Sequence, residues 1–337
     1  MPALPDLSSA IDAGIISSDV AQSLQLHFAG QNKHHADEEN FRLVSGFNDI
    51  FVVIASLLLL VSATALGFKL KPWLGPLLGG VIAWGLSEFF IRKKRMALPA
   101  IILLVIFVIE SGLTAGAIMV SAHLHFFGGP AILGVVSCTA GIVAAFVHWR
   151  RFRVPITVAI AVASGIGLLY AAIFAWWPAM RDFLGIIYLI AGLITLTLAM
   201  RWDAQDTRRQ TRRSDVAFWL HLLAAPLIIH STFSLMGGRA ADLQAWQAIV
   251  FIAIYFLIGI ISLIIDRRAM MVSALTYVLY ALSSLLKTYG MVTLGFAATA
   301  FVIGSALLLL SAFWHRARAP LVRRLPQFLQ RILPEPA

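Results

Sequence analysis

Apolar runs dominate the chain, and a short polar or basic break closes each one. Ten of them lie near 50–68, 73–91, 98–120, 130–148, 154–176, 183–200, 216–236, 246–265, 269–287 and 291–314. Each is long enough to cross ~30 Å of hydrocarbon as a helix rising ~1.5 Å per residue. Pro72, Pro99, Pro130 and Pro155 fall at or just inside the start of a run. Proline is tolerated there because first-turn amides have no helical partner. The pattern predicts an all-α polytopic membrane bundle of about ten transmembrane helices over residues 47–315.

Two flanking regions follow a different pattern. In residues 1–46, "LPDLSSAIDAG" spaces Leu4, Leu7 and Ile11 helically and ends at Gly14, a C-cap candidate. In "IISSDVAQSLQLHF", Ser17, Ser18 and Asp19 are N-cap candidates, and Val20, Leu24 and Phe28 recur every four residues. This predicts a small cytoplasmic helical hairpin followed by a polar linker. Two short helices bury little core alone, so residues 4–28 are expected to pack on the membrane domain or on a cytoplasmic protein partner. The tail, 316–337, mixes apolar residues with Arg323, Arg324 and Arg331. It reads as an interfacial amphipathic helix broken near Pro326.

Charge then orients the bundle. The segments 92–95, 150–153, 201–213, 266–268 and the tail hold nineteen of the 26 Lys and Arg residues, whereas the alternate loops hold five. The positive-inside rule puts both termini in the cytoplasm, consistent with an even span count. It also accounts for the net charge of +10 through topology and anionic-lipid contact, with no nucleic acid required. Apolar residues make up 60% of the chain and charged residues 12%, which excludes a soluble globular domain. The single cysteine, Cys138, sits inside an apolar run and reads as core. The first apolar run is expected to act as an uncleaved insertion signal.

"IDAGIISSDVAQSL", the polar linker, "FRLVSGFNDIFVVIASLLLL" and "DRRAMMVSALTYVLYAL" together resemble a bacterial family of predicted inner-membrane proteins of unknown function. The resemblance implies an N-terminal helical segment ahead of a multi-span domain in the bacterial inner membrane. It implies no catalytic residues and no cofactor.

Candidate chemistry is sparse. "FWLHLLAAPLIIH" places His221 and His230 in the seventh span with Pro226 between them. Nine residues separate the histidines by ~13 Å and turn them to opposite faces, so they cannot share an ion. Each is expected to bond a neighbouring helix, and a haem would need a second helix, such as the one carrying His148. Glu110 falls near the middle of the third span, beside Ser111, Gly112, Thr114 and Gly116. A carboxylate at that depth is costly and must face the protein. By residue count it lies within ~3 Å of the depth of His230, which suggests a Glu110–His230 proton site. The rival reading is a protonated Glu110 that only packs helices. Glu88 is expected to pair near "RKKR". His123 and His125 could hold a metal with His230 as third ligand, since two ligands are not a site. "HHADEE" (34–39) and Lys287 read as a solvated linker and a snorkelling end.

The functional readings are therefore a proton-coupled small-solute transporter and a non-enzymatic scaffold or sensor using the N-terminal hairpin. An intramembrane enzyme lacks any clustered metal or nucleophile signature.

Overall fold

The computed structural model describes residues 13–15, 17–24, 47–123, 129–207, 209, 211–236, 245–267 and 312–330, with isolated positions at 271, 275, 279, 301, 304–305, 308–309 and 333. All regular structure among the described residues is helical. The helices are α1 (Phe47–Leu70), α2 (Leu74–Ser87), α3 (Ala97–Ser121), α4 (Gly129–Phe152) and α5 (Ile156–Trp176), then α6 (Leu184–Asp203), α7 (Arg212–Leu235) and α8 (Ala245–Ile265). Two short helices follow near the C-terminus, α9 (Trp314–Arg323) and α10 (Gln327–Gln330). A π-helical segment, Glu88–Lys93, continues α2. Among the described residues seven helices, α1 to α7 with α2 taken through Lys93, are long and apolar enough to cross a membrane, and the Ile252–Ile265 stretch of α8 is a shorter apolar helix. This is a membrane-embedded helical bundle. The expected ninth and tenth spans lie almost wholly outside the described residues, as does most of the expected N-terminal hairpin.

The described part of that hairpin has the expected punctuation. Gly14 takes φ +67°, the left-handed conformation that glycine adopts without a Cβ clash. Ser17 Oγ accepts from Val20 N–H at 3.4 Å at the start of the helical stretch 18–24.

Consecutive helices pack side by side from α1 to α5, and α7 packs on α5 and α6. Small residues set the closest approach. A Cβ added at Gly67 would sit 2.7 Å from Gly75 Cα, and one at Gly75 would sit 2.5 Å from Thr64 O, so α1 and α2 touch backbone to backbone. Between α1, α2 and α3 the core is Leu60, Ala83 and Leu103. Ala100, Leu104, Val108, Ala144 and Ala145 fill the space between α3 and α4. Further along, Ala225, Ile229 and Phe233 of α7 meet Ile258 and Ile265 of α8. Apolar side chains also cover the outside, as a lipid-facing surface requires: Leu58, Val61, Leu66, Phe256 and Leu257 are exposed.

The basic ends of the helices stop by an unusual device. Arg95, Arg153 and Asp266, each just past a helix end, have positive φ between 52° and 62°, and so does Arg209 in the loop between α6 and α7. Glycine normally fills such positions, and a side chain there costs ~1–2 kcal/mol.

Candidate functional site

Glu110 stands at the middle of α3 in a notch built by α1 and α2. Its Oε1 accepts a hydrogen bond from Thr64 Oγ1 of α1 at 3.0 Å. Its Oε2 is buried with no hydrogen-bond partner. Gly79 of α2 makes the room: a Cβ there would fall 2.5 Å from Thr64 Oγ1 and 2.8 Å from Glu110 Oε1. Gly80 backs the Glu110 stem, with its virtual Cβ 3.7 Å from Glu110 Cβ. The neighbouring hydroxyls are already used. Thr114 Oγ1 donates to Glu110 O and Ser111 Oγ to Phe107 O, both at 2.7 Å. A carboxyl at mid-membrane depth with one oxygen held and the other free of donors suits a proton carrier better than a fixed anion, because an ionised oxygen buried without donors is strongly penalised.

The structure does not bring Glu110 and His230 together. Glu110 meets α1 and α2, whereas His230 is exposed on α7, which packs on α5 and α6. Equal depth is a property of residue count, and adjacency depends on the order in which helices pack.

A second polar centre lies at the basic end, where α6, α7 and the end of α8 converge. Asp203, 1% exposed, closes α6. Its Oδ2 accepts from His221 Nε2 at 2.8 Å, and its Oδ1 accepts from Arg267 Nη2 at 2.5 Å. Arg267 Nη2 also donates to Ser214 O and Oγ at 3.1 and 3.2 Å. Alongside it, Asp266 accepts from Arg209 Nη1 at 3.0 Å and from Trp314 Nε1 at 2.7 Å, with Arg318 Nε at 3.6 Å. All of these side chains are buried. The network ties α9 to the end of α8, and both to the loop after α6.

No family model, characterised protein or solved structure matches the chain. The two centres therefore stand on their own geometry.

The remaining sequence candidates fall as follows. His221 makes the expected interhelical bond, to Asp203. It has no link to His148, whose ring is buried among Phe152, Phe107 and Trp84 at centroid distances of 4.5, 6.0 and 6.2 Å, with neither nitrogen hydrogen-bonded. Glu88 pairs at the basic end as expected, with Arg92 at 2.9 Å and Arg151 at 2.6 Å. His123 ends α3 with φ 56°, and His125, Lys287 and the 34–39 segment lie outside the described residues. Among the described residues no group of three His, Cys, Asp or Glu could hold a metal. The tail helix also departs from expectation. It starts at Trp314, ahead of the expected 316–337, and breaks between Arg323 and Gln327, near Pro326, but Trp314, Arg318 and Val322 turn into the protein.

Sequence reasoning missed the charged network. It assigned Arg209, Arg267 and Arg318 to the membrane surface with the other basic residues. The available signal was Asp203 and Asp266, two acidic residues embedded in otherwise basic helix ends.

Proposed function

We propose that the chain is a multi-pass transporter of a small solute and that Glu110 is the group whose protonation drives it. The observation that carries this reading is the Glu110 carboxyl itself: one oxygen held by Thr64, the other buried and without a hydrogen-bond partner. A carboxyl in that setting is stable when it carries a proton and must find new donors to lose it. Gly79 lets α2 close on the carboxyl, since a Cβ there would fall 2.8 Å from Glu110 Oε1. The excess of basic residues on alternate loops supports an inner-membrane placement with both termini in the cytoplasm. The scaffold alternative depends on residues 4–28, of which 13–15 and 17–24 are described.

Dicyclohexylcarbodiimide tests the proton site, because it modifies a carboxyl only when the acid is protonated and the surroundings are apolar. The expected result is an adduct on Glu110 that declines as pH rises and is missing in Glu110→Gln. In reconstituted vesicles, an imposed pH gradient should drive uptake from a small-solute panel with the wild type and not with Glu110→Gln. A folded protein whose Glu110 stays unmodified at every pH would refute the assignment.

A further inference from the structure

A groove opens between α2, α3 and α4 on the face of α2 that carries Gly80 and Trp84. Its volume is ≈490 Å³, and Leu77, Val81, Trp84, Phe107 and Val147 supply most of its wall. Its two hydroxyl residues, Ser111 and Thr114, spend their protons on carbonyls of their own helix. The groove therefore offers mainly hydrocarbon contact, with its hydroxyls already committed.

Its wall leads to a charged mouth. Glu88 is one helical turn beyond Trp84, and Arg151 is one turn beyond Val147, so both sit below groove-lining residues on the same helices. Glu88 bridges the two helices: Arg151 Nε and Nη2 donate to its carboxylate at 2.6 and 3.2 Å, and Arg92 Nη1 donates at 2.9 Å. The guanidiniums are held in place yet stay open, with side-chain exposures of 45% for Arg151 and 51% for Arg92. The trio keeps one net positive charge. Lys93 and Lys94 add to it, each ammonium 5.8 Å from the Phe89 ring. From Glu88 to Gly80 is eight residues, ~12 Å of helix, close to the ~15 Å depth of one hydrocarbon leaflet.

We propose that this groove and its arginine mouth form a binding site for one anionic glycerophospholipid of the surrounding leaflet. An acyl chain lies along Val81, Trp84 and Val147, and the phosphate takes the outward N–H groups of Arg92 and Arg151. A planar guanidinium pair matches phosphate oxygens, and the apolar wall selects a molecule that arrives from the bilayer. The site does not involve Glu110 protonation and stands independently of that reading.

The test uses the full-length, delipidated protein and native mass spectrometry with phosphatidylglycerol or phosphatidylcholine of identical chains. One phosphatidylglycerol should be retained in preference to phosphatidylcholine, and glycerol phosphate should not compete for it. Arg151→Gln should weaken retention about five-fold, the effect of one basic residue on an anionic lipid. Arg213→Gln, an equal loss of charge at the start of α7, should leave it unchanged. Val81→Trp fills the groove from an exposed position and should weaken retention without altering charge, which covers the case of a poorly folded Arg151 variant. Equal losses from Arg151→Gln and Arg213→Gln would reduce the site to bulk electrostatics. Full retention by Val81→Trp, equal binding of phosphatidylcholine, or competition by glycerol phosphate would each overturn the proposal.

Discussion

Replacing Asp203 by Asn is the most informative single perturbation of the charged network. The change keeps the shape and one acceptor oxygen but removes the charge. Asp203 is 1% exposed and Arg267 2% exposed, so solvent cannot take over as the counter-charge. The Arg267 guanidinium loses its anionic partner at 2.5 Å and keeps neutral acceptors such as Ser214 O and Oγ. Breaking a buried pair from one side costs ~3–5 kcal/mol, whereas removing both charges costs much less. We therefore expect Asp203→Asn and Arg267→Met each to destabilise the protein by about that amount. The double variant should recover part of the loss, with a coupling energy on the order of 1–3 kcal/mol. Denaturant titration in detergent, followed by tryptophan fluorescence, measures all four corners of the cycle. An Asp203→Asn variant within ~1 kcal/mol of the wild type, or strictly additive losses, would show that water or neighbouring groups replace the pair.

Four further outcomes follow from named contacts. Trp314→Phe removes the indole N–H donated to Asp266 and should cost ~1.5–3 kcal/mol, read as lower thermal stability. Gly79→Ala places a methyl 2.5 Å from Thr64 Oγ1; it should cost ~1–3 kcal/mol, and the Gly79→Ala/Thr64→Ala double variant should restore part of it. His148→Leu removes two buried nitrogens that lack partners and should raise stability by ~1–3 kcal/mol, whereas His221→Leu should lower it. Arg153→Gly relieves an exposed left-handed residue and should leave stability equal to the wild type or raise it by up to ~1 kcal/mol in the same titration.

Much of the architecture was legible because hydrocarbon imposes a simple rule. A backbone without water must satisfy itself, so long apolar runs become helices. The first eight runs appear as α1 to α8, and proline and basic residues marked their ends. Local capping was equally readable: Gly14 takes the left-handed φ that a missing Cβ permits, and Ser17 Oγ accepts from Val20 N–H. Relations between distant segments were not readable. Glu110 has Thr64 as its partner rather than His230 because α3 lies against α1, and nothing in the period of either helix encodes which neighbour it meets. The arginines failed for a related reason. Arg209, Arg267 and Arg318 obey the same topological bias as exposed arginines, and only the positions of Asp203 and Asp266 across the fold distinguish them.

The Asp266–Trp314 bond joins segments that are far apart in the sequence. Its two residues are 48 positions apart yet share one hydrogen bond, so they occupy the same end of the bundle. Moving α9 off the end of α8 would strip a buried carboxylate of its indole donor. Arg209 and Asp266, 57 positions apart and likewise bonded, tie the loop after α6 to the same carboxylate. Displacing Arg209 or α9 would leave the buried Asp266 charge without part of its counter-charge. One side chain thus sets the relative positions of the loop after α6, the end of α8 and α9, and a force on any one of them is felt by the other two.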